Sequence, residues 1–198
     1  MTLPFSHATN RSRGLSGRVS GAADRPRRVR FRPHIRARHS HRRSHRRSRP
    51  AWGTRDHALT PGASVSTDPA VVCAPGYSRS VRPPSQYTDA LKDRQLAAGY
   101  PGTTGLSSRD VEEDPLLMLA LGGDPRNPQN LWPEPRHVRA ADGQDAGADT
   151  KDLFESYLYT QVCRQHALTV PQAQQQLTTD WYAAYVAAGR PHGSGTSS

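Results

Sequence analysis

The chain has 198 residues, 34% of them apolar, and a formal net charge of +10. That length holds one modest domain plus a tail, and the apolar share lies below the roughly 45–50% of ordinary globular chains. No run of about 18 apolar residues occurs, so no transmembrane helix is expected, and the Arg-rich sequence after Phe5 leaves no apolar stretch of about 7–15 residues for a secretory signal.

The charge is unevenly spread. Residues 1–50 hold fifteen Arg, no Lys and one acid, Asp24, a net of +14, whereas residues 51–198 hold twelve basic and sixteen acidic residues, a net of −4. The high isoelectric point therefore describes the tail. Residues 1–50 lack apolar periodicity and cannot bury enough surface to offset chain entropy, so a disordered basic tail is expected. Arg42, Arg43, Arg46 and Arg47 suit a polyanion, because each Arg that meets a phosphate releases counterions. Nucleic acid is the expected partner, with DNA favoured over RNA. A second reading is that GC-rich sequence upstream of a true start near Val65 is being translated. The expected compartment is the cytoplasm, or the exterior if the true start differs.

Residues 51–70 read as a linker, since Gly, Pro, Ser and Thr punctuate them without a period. A domain is expected over 71–190, with a disordered tail at 191–198. Val71 opens an extended run that turns at Pro75-Gly76. Pro83-Pro84 force an extended entry to a helix that Ser85 or Thr88 can cap and Gly99 ends. Arg79 and Arg82 precede this helix as candidate phosphate contacts, with ordinary surface charge as the alternative. A strand is expected over 109–117, then an apolar segment closed by Gly122-Gly123. A second short strand starts at Asn130-Leu131-Trp132 and is ended by Pro133-Glu134-Pro135. A polar, exposed loop follows. The next helix starts near Thr150, with Asp152 and Glu155 as acids favoured by its dipole. Its core face carries Leu153, Phe154, Tyr157, Leu158 and Val162. Thr169 with Gln172 makes a capping box for the last helix. Cys73 and Cys163 cannot alone form a structural zinc site; their placement suits a disulfide, and two buried thiols are the alternative.

The pieces CxPGYS (73–78), ED-x-L with LGG (113–123), N-x-x-NLWPEP (127–135), KD-x-x-E (151–155) and VC (162–163) together cover almost all of the domain. In this arrangement the chain resembles small bacterial HNH nuclease-like proteins. The resemblance implies an α+β fold with a ββα-metal core and flanking helices. It implies a catalytic His beside Asp114, a loop-holding Asn at Asn130, and a divalent metal (magnesium or similar) held by Asp114 and a helical residue. Here the His positions carry Pro115 and Tyr159. Proline has no base, and removing a general base typically forfeits about 10²–10⁴ in rate. The expectation is a catalytically impaired nuclease-like domain that keeps nucleic-acid binding. One alternative is an active metal-dependent endonuclease with His137 as substitute base; another is a non-catalytic protein-interaction domain. Glu112, Glu113 and Asp114 form an acidic triplet able to meet magnesium through oxygens, with only Asp114 expected to turn inward.

Overall fold

The computed structural model describes residues 55–192; the whole basic tail, with Arg42, Arg43, Arg46 and Arg47, and residues 193–198 lie outside the described residues. The fold is mixed α and β. In chain order it runs α1 (Pro69–Val72), α2 (Tyr77–Val81), α3 (Ser85–Ala97), β1 (Val111–Pro115), a 3₁₀ turn (Leu119–Leu121), β2 (Leu131–Pro135), α4 (Ala148–Cys163) and α5 (Val170–Ala187). The strands β1 and β2 pair antiparallel, with Val111 opposite Pro135 and Pro115 opposite Leu131.

Three prolines stand in this two-stranded ribbon, and the register explains how it tolerates them. The Leu116 N–H donates to the Asn130 carbonyl at 2.7 Å, and the Arg136 N–H donates to the Asp110 carbonyl at 2.9 Å. Those bonds flank the ladder and make the even-numbered residues its hydrogen-bonded pairs. Pro115, Pro133 and Pro135 all fall at the odd positions, outside those pairs, where no ladder N–H is missed. The second strand ends at Pro135, as expected, with Pro133 paired inside it.

The main core gathers residues far apart in sequence. Val72, Leu117, Leu121, Phe154, Leu158, Val162, Val170, Ala173 and Leu177 are all buried in one cluster. The spacing of Phe154, Leu158 and Val162 turns one stripe of α4 toward α5, as the helical period requires. The capping box of α5 is present, with the Thr169 hydroxyl accepting from the Gln172 N–H. Gly99, with φ +74°, closes α3 in the left-handed conformation, which glycine adopts at little cost.

Three expectations are corrected. Residues 71–72 are helical, not extended: Asp68 caps the Ala70 N–H and Pro69 occupies the first turn of α1, a favoured start for a helix. Residues 55–68 pack on the domain instead of forming a linker. The buried Arg55 guanidinium donates to the Thr60 carbonyl at 3.2 Å and to the Thr178 carbonyl. The Val65 N–H donates to the Gly122 carbonyl at 2.8 Å. The last correction is the start of α4, which lies at Ala148, with Gly147 and not Thr150 as its cap. Cys73, at the end of α1, and Cys163, the last residue of α4, form a disulfide with Cα atoms 5.3 Å apart.

Candidate functional site

The loop between the strands is held by one buried side chain. Asn130, with no exposed surface, accepts the Leu117 N–H at 2.9 Å and donates to the carbonyls of Leu117 and Asp124, each at 3.0 Å. An amide is suited to this, since it can accept from and donate to the backbone at once. Gly123 makes room for it: a Cβ there would lie 1.7 Å from the Leu117 oxygen and 2.9 Å from Asn130 Nδ2. At the other end of the hairpin, a Cβ on Gly147 would lie 2.1 Å from the Arg136 oxygen. Glycine therefore lets the start of α4 press against the end of β2, and Lys151 arrives one turn later beneath the ribbon.

Lys151 forms the hub of the site. Its side chain is 1% exposed. The ammonium donates to Asp114 Oδ2 at 2.5 Å, to the Pro115 carbonyl at 3.1 Å and to Glu155 Oε1. All three of its N–H donors are used. Glu134 Oε2 lies 4.0 Å away, and neither Glu134 oxygen has a hydrogen-bond partner among the described residues. Burial alone would pull the Lys151 pKa down, but the carboxylates of Asp114, Glu155 and Glu134 outweigh it and hold the ammonium charged. Burial, then the charge of Asp114, pushes Glu134 well above the usual carboxylate range. A burial cost this large is tolerable only because the charges are paired and hydrogen-bonded.

An open cleft of about 440 Å³ adjoins this hub, with acids on its floor and Arg82, Lys92 and Arg136 among its walls. Glu112, Asp114 and Asp152 each turn one oxygen to within 4.8 Å of the others. Burial and then Asp114 raise both Glu112 and Asp152. Arg136 Nη1 donates to Glu112 Oε2 at 2.7 Å.

The sequence-derived site residues separate in space. Asp114 is in the hub, Asn130 stands behind it, and Arg82 lines the cleft, whereas the exposed Arg79 does not. Pro115 lends its carbonyl to Lys151. Tyr159 packs against the apolar core and is not among the cleft's lining residues. His137 is exposed and pairs through Nδ1 with Asp145 Oδ2 at 2.9 Å, outside the cleft wall. Asp145 raises the His137 pKa. None of the described histidines lines the cleft. The metal pair implied by the resemblance, Asp114 with the residue at position 159, does not fit this arrangement, because the Tyr159 phenol belongs to the core and Asp114 Oδ2 is taken by Lys151. Glu155, expected as a helix-dipole acid of the first turns, is a buried partner of Lys151. Sequence reasoning quoted Lys151 and Glu134 only as letters of motifs and gave neither a role. A Lys-x-x-x-Glu pair reads as an exposed salt bridge, and only its position among Phe154, Leu158 and Val162 hinted otherwise.

No family model matches the chain, and no curated protein or solved structure matches it significantly.

Glu113 gives the site a measurable pH signature. Both its carboxylate oxygens are buried without a hydrogen-bond partner among the described residues. Burial, then the neighbouring Asp114, raises its pKa from 4.5 to about 8. The folded state thus holds this proton longer than the unfolded chain does. Its contribution is fully present below about pH 4.5 and lost as pH rises through about 8. The urea midpoint is expected to fall between pH 5 and pH 9, and to fall less in Glu113→Gln. Equal slopes in the two proteins would show that Glu113 is ionised throughout.

Proposed function

We propose that this is a nuclease-derived ββα domain that has lost efficient phosphodiester cleavage and keeps nucleic-acid binding. The observation that supports it best is the hairpin-then-helix hub, in which Asp114 and the loop-holding Asn130 are retained while positions 115 and 159 carry no imidazole. Without an imidazole at those positions, neither residue 115 nor residue 159 supplies a base that takes a proton from water at neutral pH. The cleft retains cationic walls, Arg82, Lys92 and Arg136, that suit a phosphate backbone. The basic residues of the tail add a term that is independent of sequence and sensitive to salt.

The test is plasmid nicking by the full chain with magnesium or manganese, and with chelator as control. The natural protein is expected to leave supercoiled plasmid intact, whereas Pro115→His, which returns an imidazole to the cleft lining beside Asp114, is expected to nick it detectably. Position 115 lies outside the hydrogen-bonded pairs of the ladder, so that change costs no backbone bond. Nicking by the natural protein would overturn the impaired-enzyme reading and direct attention to His137. Retained DNA binding is checked by gel shift. Affinity is expected to fall steeply between about 50 and 200 mM salt, roughly tenfold or more for several phosphate contacts. Absence of any shift at low salt would remove the binding half of the proposal.

A further inference from the structure

The two edges of the ribbon are unlike. At the odd positions the backbone groups turn away from the partner strand. On β2 that edge is closed: Pro133 and Pro135 carry no N–H, and the Leu131 carbonyl is taken by Gln95 Nε2 at 2.9 Å. Prolines on an edge keep a further strand from pairing there. On β1 the edge is open. The Pro115 carbonyl goes to Lys151, but the backbone N–H and carbonyl groups of Val111 and Glu113 have no partner among the described residues. Val111 has no exposed surface, and a buried backbone group left unpaired is costly. The cleft lies along this edge. Four consecutive residues of β1, Glu112 to Pro115, line it, with Lys92 of α3 and Asp152 of α4 among its walls. Its described lining holds six acids against three cations, and Met118, Leu119 and Ala120 add an apolar strip. An unpaired strand edge in such a cleft suits an extended peptide, and the charge selects a basic one.

The chain carries such a segment. The basic tail has no period over its length, but residues 28–32, which lie outside the described residues, read Arg-Val-Arg-Phe-Arg between Pro26 and Pro33. Alternation of this kind puts the arginines on one side of a strand and Val29 and Phe31 on the other. We infer that residues 28–32 add to the free edge of β1, with their arginines over the acids of the cleft and Val29 and Phe31 against its apolar strip. Reach does not limit this. Twenty-two residues separate Arg32 from Arg55, where the described domain begins. Extended, they span about 75 Å, against a radius of gyration of about 14 Å for a domain of this size. The tether also raises the local concentration of the segment, so a short strand suffices. The inference does not rest on the nuclease reading, and the plasmid assay does not bear on it.

The test is hydrogen exchange of the Glu113 amide in the full chain. Protection is expected in the natural protein, because a carbonyl of the added strand accepts that N–H. The variant Arg28→Glu with Arg30→Glu and Arg32→Glu turns attraction to the acids of the cleft into repulsion. It is expected to quicken Glu113 exchange about tenfold or more, the factor that one net hydrogen bond supplies. The Asp114 amide, which bonds across to β2, is expected to exchange alike in both proteins, and this shows that the domain is intact. Equal exchange at Glu113 in the two proteins would overturn the inference. So would protection that rises with protein concentration, which would seat the tail of a second copy on the edge.

Discussion

Replacing Lys151 with Met is expected to cost about 3–5 kcal/mol of folding stability at pH 7, the usual cost of deleting one member of a buried ion pair. The thioether fills most of the volume of the lysine stem, so little of this is a cavity effect. What remains is electrostatic. Asp114, Glu155 and Glu134 are all nearly buried, and Lys151 is the cation that meets the first two directly. Without it, Asp114 would lie in a site with no counter-charge, and Glu134 and Glu155, whose pKa values burial already raises, would be pushed higher still. Against a typical stability of about 5–15 kcal/mol, such a loss leaves a domain that is barely folded at room temperature.

The sign of the pH dependence separates this cause from simple mispacking. With the ammonium gone, the carboxyls of the hub take up protons in the folded state more readily than in the unfolded chain. Their folded pKa values then stand above the unfolded ones, so the penalty is present at high pH and shrinks as pH falls toward about 4.5. Urea unfolding of Lys151→Met at pH 7 and pH 4.5 is the measurement. The deficit against the natural protein is expected to fall by half or more at the lower pH. Adding Glu155→Gln is expected to recover part of the loss at pH 7, because a carboxyl that burial already raises to about 8, and that must hold a proton to stay buried without the ammonium, becomes a neutral amide. A deficit that does not change with pH would mean that the hub carboxylates are already protonated, and that Lys151 acts through packing alone.

The case of Lys151 shows which parts of the fold could be read from the sequence. Periodic patterns were legible: the stripe Phe154, Leu158 and Val162, the capping box at Thr169 and the stop at Gly99 all rest on contacts within one turn or one helix face. Asn130 was legible as a loop-holding residue only through the resemblance. What could not be read depended on where distant segments meet. Nothing local in Lys151 or Glu134 distinguishes a buried charge from a solvated one; the distinction comes from Gly147, whose missing Cβ lets α4 approach β2. Residues 55–68 likewise lack any period of their own. They are ordered by long-range partners, such as Gln174, whose Nε2 donates to Ser64 Oγ at 3.0 Å and to the Leu121 carbonyl at 2.8 Å. The prolines of β2 are tolerated for a reason that only the partner strand shows. Their effect on a strand depends on whether they face the ladder, and that parity is set by the partner strand.

Reduction of the Cys73–Cys163 disulfide is expected to lower stability by up to about 4–5 kcal/mol, since the bond closes 90 residues of chain and the entropy it removes from the unfolded state grows with loop length. For a domain of this size that corresponds to a fall in Tm of about 10–15 °C. Thermal melts with and without a thiol reductant, beside Cys73→Ser with Cys163→Ser, are the test, and the reduced protein and the double variant are expected to melt together. An unchanged Tm on reduction would show that the bond is not formed in solution. The loss should not be uniform. Cys73 ends α1, and α2 comes directly after it to carry Ser78 and, just beyond, Arg82 into the cleft wall. Neither short helix could hold its place by its own hydrogen bonds, and of their residues only Val72 is buried. Hydrogen exchange is therefore expected to quicken in α1 and α2 on reduction, well before it changes in β1 and β2. A reducing cytosol would forgo this bond, so the disulfide contributes most where the surroundings are oxidising, and there it fixes one wall of the cleft against the helix that carries Lys151.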